Sequence, residues 1–177
     1  MSVSQNGYET QILSINPRPK FSQTVSVSLM TMEEAYWSTR PEIVSSPIDN
    51  RLKLFKPNNA TFFLGAPRRE PGRRANEAEK LVQLKRPFYL AETETSNEDY
   101  RKWKSMHNSS SIRGISLDMN KQPVSNISWE DAALFCNWLS QQEGLPNFYE
   151  VVNGRIASMN WESNGYRLPT ESEWAWV

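Results

Sequence analysis

One cysteine, Cys136, and one histidine, His107, are all this chain offers of the two side chains most used in nucleophilic and metal chemistry. A lone thiol excludes an internal disulfide and any multi-cysteine metal site. A lone imidazole leaves no His pair for a metal and no nucleophile–base–orienter arrangement centred on histidine. No apolar run approaches the roughly 18 residues that a membrane span requires. The opening residues, Met1-Ser-Val-Ser-Gln-Asn-Gly-Tyr8, have neither the basic n-region nor the apolar h-region of a signal peptide, which leaves the compartment open. Internal repeats and low-complexity tracts are missing too.

Net charge is absent overall, since twenty basic and twenty acidic residues cancel, but the signs are segregated. Residues 51–86 carry ten basic and three acidic side chains, against three and five in 1–50 and seven and twelve in 87–177. The run 66–78 is charged and aperiodic, and its Arg68, Arg69, Arg73 and Arg74 are the candidates for contact with an acidic or peptide partner. The plainer alternative is a solvated basic loop lying against an acidic body. Nucleic acid is not expected, because a continuous basic face with interleaved aromatics is needed, and Glu70, Glu77 and Glu79 interrupt the run.

Residues 1–50 have loose β character, with Gln11–Ile15 and an alternating Gln23–Met30, broken by Pro17, Pro19, Pro41 and Pro47. They suggest a linker or the tail of a preceding small β module, with the main domain occupying 51–177. In that domain Leu52–Lys56, Ala60–Leu64, Lys80–Lys85 and Pro87–Ala91 read as strands. Thr95-Ser-Asn-Glu98 reads as a capping box, in which hydroxyl and carboxylate satisfy each other's backbone N–H groups. The helix it opens is expected to run to about Met106 with Tyr100 and Trp103 inward. Residues 108–122 form a long polar loop, and such loops are usually functional or mobile.

Ser128-Trp-Glu-Asp131 caps the best-defined helix, with Trp129, Ala132, Ala133, Cys136 and Leu139 on one stripe, Phe135 and Trp138 widening it, and Gly144 as the stop. Phe148–Val152, Asn153-Gly154 and Arg155–Met159 predict an exposed hairpin. Strands and helices do not alternate regularly, so the fold class is α+β, with two to three helices and short irregular antiparallel strands.

The final residues begin a helix. Thr170 and Glu173 form a second capping box, after which Trp174 and Trp176 supply apolar content. With so few residues following the cap, the expectation is the front part of a larger domain, whose partial core leaves Trp174 and Trp176 exposed.

Four motifs, in this order, resemble one known family. They are Phe62-Phe-Leu-Gly65, Pro87-Phe-Tyr-Leu-Ala-Glu-Thr-Glu-Thr-Ser-Asn-Glu-Asp-Tyr100, Pro123-Val-Ser-Asn-Ile-Ser-Trp-Glu-Asp-Ala-Ala-Leu-Phe-Cys-Asn-Trp-Leu139 and Gly165-Tyr-Arg-Leu-Pro-Thr-Glu-Ser-Glu-Trp174. Together they resemble the formylglycine-generating enzyme, or sulfatase-modifying factor, domain. The run Arg68-Arg-Glu-Pro-Gly-Arg-Arg-Ala-Asn-Glu77 is similar to a bacterial subgroup in which this domain ends multidomain proteins.

The resemblance implies a partial C-type-lectin-like fold, calcium, and, in the founding enzymes, a copper-binding cysteine pair that oxidises a substrate cysteine with oxygen. Relatives serve other chemistry or have no known catalysis, so fold likeness warrants no activity by itself. The reactive cysteines and most calcium ligands of the family lie beyond the Arg-Leu-Pro-Thr-Glu segment, so no catalytic, cofactor or metal residue is assigned. The resemblance therefore implies a truncated domain, not catalytic alone, whose parent is an oxidoreductase modifying protein cysteines. The alternatives are a non-catalytic lectin-like binding or regulatory module of a bacterial signalling or envelope protein, or a fragment without function.

Residue by residue, structural roles are preferred. Cys136 lies on the apolar stripe and reads as a small buried hydrophobe. His107, at a helix end, is expected to be exposed. Glu171 and Glu173 are two apart and do not share a helix face; Glu173 is the partner of Thr170. Arg167 fits a buried ion pair, Asp131 the first turn of its helix, and Trp129 the core.

Overall fold

The structure, a computed structural model, describes residues 1–16, 18–75 and 77–177. Pro17, one of the breaking prolines, and Asn76, in the Arg-rich run, lie outside the described residues. The chain divides into two compact units, Met1–Glu42 and Ile43–Val177.

The first unit pairs β1 (Ser2–Val3) with β2 (Gln11–Ile12) and ends in helix α1 (Met32–Ser38). Thr31 caps α1 in a capping box with Glu34, whose carboxylate accepts the Thr31 N–H at 2.8 Å while the Thr31 hydroxyl accepts the Glu34 N–H at 3.1 Å. The same Thr-x-x-Glu signature was legible in the sequence but is masked there by the neighbouring β pattern. The strand expected over Gln23–Met30 does not form. None of this unit's described residues is fully buried, and period-two alternation stabilises a strand only against a surface it can cover.

The second unit starts eight residues before the expected boundary at residue 51. Its first strand, β3 (Ile43–Ser45), pairs with β4 (Arg51–Phe55), and Ile48 in the turn between them is 4% exposed within the core. After β5 (Thr61–Leu64), β6 (Lys80–Gln83) and β7 (Phe88–Ala91), the sheets are β3-β4-β7 and the separate hairpin β5-β6, all antiparallel. Gly65, at φ +102°, ends β5 where a Cβ would meet the Ala78 carbonyl oxygen at 2.8 Å, so only glycine lets the two ends of the loop close.

Helix α2 (Asn97–Arg101) is shorter than expected and capped one residue later. Ser96 accepts the Asp99 N–H at 3.2 Å, whereas the Thr95 carbonyl is committed to the Val124 N–H at 2.9 Å. Short strands β8 (Ser111–Ile112) and β9 (Ile115–Ser116) follow, then α3 (Trp129–Gln142), capped by Ser128 as expected and stopped at Gly144 with φ +67°. The hairpin of β10 (Tyr149–Val152) and β11 (Arg155–Met159) turns on Asn153 and Gly154, both at positive φ as a type I′ turn requires. Helix α4 (Glu171–Trp176) closes the chain. The fold is α+β, with three of the four helices in this unit.

The core is aromatic. Ile48, Tyr100, Phe135 and Leu139 form one buried cluster, Ala133, Cys136, Phe148 and Tyr149 a second, and Tyr166 packs against both. The hairpin expected to be exposed is anchored at its base. Asn137, 3% exposed in the middle of α3, donates to the Tyr149 carbonyl at 2.7 Å and accepts its N–H at 3.1 Å. An amide inside an apolar helix face was the available signal, and it was missed. Trp129 departs from its expected core place: at the first position of α3 it meets the edge of Tyr149 at 5.7 Å and stays 52% exposed. Trp176 is not left exposed, because it lies edge-on to Phe55 and Phe88 at 6.1 and 6.3 Å; Trp174, 66% exposed, is.

The tightest approach is at Gly165, where a Cβ would sit 2.1 Å from the Pro146 carbonyl oxygen and 2.8 Å from Ser140 Oγ. Gly165→Ala is expected to destabilise the chain by about 1–3 kcal/mol, as overpacking does. Urea unfolding checks this as a lower midpoint at unchanged slope; an unshifted midpoint contradicts it.

Candidate functional site

Three places could carry chemistry: the lone thiol with the Arg167 motif behind it, the polar loop around His107, and the arginine loop.

Cys136 is 7% exposed on the inner face of α3, among Ala133, Phe148 and Tyr149. Burial pushes its thiol up to about 12, and the nearby Arg167 charge only partly opposes this. Because the thiolate is the reactive form, such a sulfur is inert at neutral pH. Arg167, the other candidate here, is committed elsewhere. Its guanidinium grips Glu173 bidentately, Nη1 to Oε2 at 2.7 Å and Nη2 to Oε1 at 2.5 Å, and lies 5.7 Å from the ring centres of both Phe148 and Trp161.

Glu173, 8% exposed, also accepts the Thr170 N–H at 2.8 Å, and the Thr170 hydroxyl accepts the Glu173 N–H at 3.2 Å. Burial alone would push its carboxyl up; the hydrogen bonds from Arg167 and from the Thr170 backbone outweigh that and hold it below the usual range. Arg167, Thr170 and Glu173 are thus brought together as a structural lock. Asp131 sits elsewhere, in the first turn of α3, paired with Lys104 at 2.5 Å.

His107 is not exposed as expected. Its ring meets Tyr100 edge-on at 4.8 Å, and its Nε2 lies 2.9 Å from the Ser125 carbonyl oxygen and 3.3 Å from Ser109 Oγ. A carbonyl only accepts, so Nε2 carries the hydrogen and cannot take a proton from Ser109. The Ser109 hydroxyl, 1% exposed, donates to Asn97 Oδ1 and accepts the Ser125 N–H at 3.0 Å. Asp118 accepts from Ser109 N–H at 2.6 Å, Arg101 at 2.5 Å and Asn108 at 3.0 Å, and the Asn97 amide donates to the Leu117 and Met119 carbonyls at 2.8 Å each. The long loop is therefore tied down by saturated polar groups. It leaves an open hollow of about 260 Å³, lined by Ser110, Ser111, Ile112 and Asn126 among others, without a cation or carboxylate.

The arginine loop differs. Its ends are closed by the Ala66 N–H on the Glu77 carbonyl at 2.9 Å, and Arg73 Nε donates to the Ala66 carbonyl at 2.9 Å. Arg73 thus serves the loop's own shape. Arg68, Arg69 and Arg74 have exposed side chains without an ion pair among the described residues. The Glu77 carboxylate bonds the Arg74 backbone N–H at 2.8 Å. Among the described residues, no ion pair joins the arginine loop to the carboxylates of 87–177. The carboxylates Glu98, Asp99, Asp118, Asp131 and Glu173 take their cations from within 87–177, and among the described residues the ion pair between the two segments is Arg51–Glu92 at 3.0 Å.

With this geometry, the class follows from the match of residues 58–176 to the model of the sulfatase-modifying factor enzyme 1-like domain; the chain belongs to that family. It is 28% identical over 120 residues to the Paenibacillus barcinonensis protein named chaperone protein LppX, covering 59% of this chain and 40% of that protein. Among solved structures it is similar to Treponema denticola variable protein 1, at 22% identity and a TM-score of 0.58, with 77% of this chain and 56% of that one covered. PvdO from Pseudomonas aeruginosa aligns at 18% identity and a TM-score of 0.47, over 60% of this chain and 46% of that one. The chain spans about half the length, or less, of the relatives it matches, and the structural likeness is one of fold.

The copper-binding thiolate pair that the family implies does not fit the residues of this chain. Two thiolates need two cysteines, and the single Sγ is buried. Among the described residues no group of three His, Cys, Asp or Glu side chains could hold a metal ion.

Two measurements follow. Native Cys136 is expected to resist thiol-labelling reagents at neutral pH and to label fully once unfolded; comparable native labelling contradicts its burial. Because the folded pKa of Glu173 lies below its unfolded value near 4.5, its contribution is fully present above that pH and is lost as pH falls through the folded value. Glu173→Gln is expected to cost roughly 2 kcal/mol at neutral pH, with the deficit against wild type narrowing on acidification below pH 4.5.

Proposed function

We propose that residues 43–177 form the N-terminal part of a sulfatase-modifying-factor-type domain that is not catalytic by itself. Oxidation of protein cysteines, where the parent protein performs it, belongs to sulfur ligands outside this chain. The observation that carries this reading is the state of the lone thiol, buried on the inner face of α3 with its pKa pushed up to about 12. The residues of the Arg167–Thr170–Glu173 motif support it further, since the Glu173 carboxylate is engaged by the Arg167 guanidinium and the Thr170 cap. Purified chain supplied with copper(I), oxygen and a Cys-x-Pro-x-Arg peptide is expected to form no formylglycine by mass spectrometry. Product above a copper-only control ends this reading.

A second reading is a binding or regulatory module of lectin-like fold within a multidomain bacterial protein. It is favoured by one observation: Arg68, Arg69 and Arg74 have no ion pair among the described residues and stand on a loop whose backbone is held by its own hydrogen bonds. A protein or peptide is the partner class this charge suits.

A further inference from the structure

We propose that the β5–β6 hairpin and its loop form a docking surface for an extended acidic segment of a partner protein that carries an apolar side chain. The inference rests on the binding-module reading and narrows it to one face and one chemistry.

The face begins with a register. Phe63 and Leu81 are directly opposed across the two strands and are 66% and 65% exposed, while Phe62 and Val82, the next pair, point to the other face and are half-buried. A directly opposed apolar pair normally stabilises a sheet by covering its face; here it faces water. The hairpin is a sheet of its own, so among the described residues no strand but β5 pairs with β6, whose far edge can take an extended strand. The loop joining the strands presents Arg68, Arg69 and Arg74 without ion pairs among the described residues, and Lys80 in β6 is exposed.

Charge selects the occupant. A guanidinium offers a planar fork that matches a carboxylate, and it is weakly hydrated enough to be used at an interface. Among the described residues, five carboxylates of 87–177 are paired within their own segment, and none forms an ion pair with the loop arginines. Glu70, Glu77 and Glu79 lie between the arginines, which repels a dense phosphate surface, nucleic acid or lipid, more than it does separately placed carboxylates. Two apolar side chains suit an anchor residue better than they suit insertion into a bilayer.

The test uses the full chain and a fluorescent synthetic peptide alternating Asp and Leu, read by anisotropy. Comparators are an all-Asp peptide, a Lys–Leu peptide and phosphatidylserine vesicles. Expected is binding of the Asp–Leu peptide that weakens with salt. It should fall at least about tenfold, the equivalent of roughly 1.4 kcal/mol, in the Arg68→Glu/Arg69→Glu/Arg74→Glu variant and in Phe63→Ser. It should be unchanged in Arg113→Glu, another exposed arginine, with melting curves confirming that each variant is folded. No binding to any probe overturns both the proposal and the binding-module reading. Binding of vesicles or the Lys–Leu peptide alone, or equal binding of the all-Asp peptide, overturns the proposal but leaves the loop as a contact surface of another kind.

Discussion

The fork between Arg167 and Glu173 organises the end of the chain on which the 43–177 unit depends. One carboxylate accepts two guanidinium N–H groups and the N–H of its own helix cap, so helix α4 cannot shift without breaking a largely buried ion pair. From there the consequences spread outward. The residues leading into the lock are held by the Ser140 hydroxyl on the Tyr166 N–H at 2.8 Å and by the Leu168 N–H on the Tyr149 hydroxyl at 3.1 Å. Both anchors come from elements already fixed to α3. At the other end of α4, Trp176 reaches Phe55 and Phe88, tying the helix to the β3-β4-β7 sheet.

Electrostatics in this unit are settled at short range. Among the described residues, five of the twelve carboxylates in 87–177 find a cation from the same stretch, whereas Arg68, Arg69 and Arg74 on the hairpin loop take part in no ion pair. The more exposed of these pairs, such as Lys121–Glu98, contribute little to stability. Their larger effect is on what remains: loop arginines without an ion pair among the described residues present their charge outward.

The polar cluster of Asn97, His107, Ser109 and Asp118 shows why residue types alone do not make a catalytic site. A serine, a histidine and an aspartate lie within hydrogen-bonding reach of one another's neighbours, yet His107 Nε2 faces the Ser125 carbonyl, the Ser109 hydroxyl donates to Asn97 and Asp118 accepts the Ser109 N–H, so the three form no relay. Their saturation rigidifies a loop whose length and composition suggested mobility, and buried polar networks stabilise only when satisfied in this way.

Local chemistry in the sequence by itself determined the caps at Ser128 and Thr170, the Asn153-Gly154 turn, the Gly144 stop, four of the strands, the α+β class and the burial of Cys136, because each depends on residues a few positions apart. The family resemblance rested on four such local motifs in order. Tertiary structure alone decided the rest. Ile48 joins the core because β3 finds β4; Gln23–Met30 forms no strand because no surface receives it. Asn137 became a cross-link and His107 a half-buried donor only when distant carbonyls arrived beside them. Whether the cations of 51–86 met the carboxylates of 87–177 was likewise a question of distance in space, which spacing along a chain does not encode.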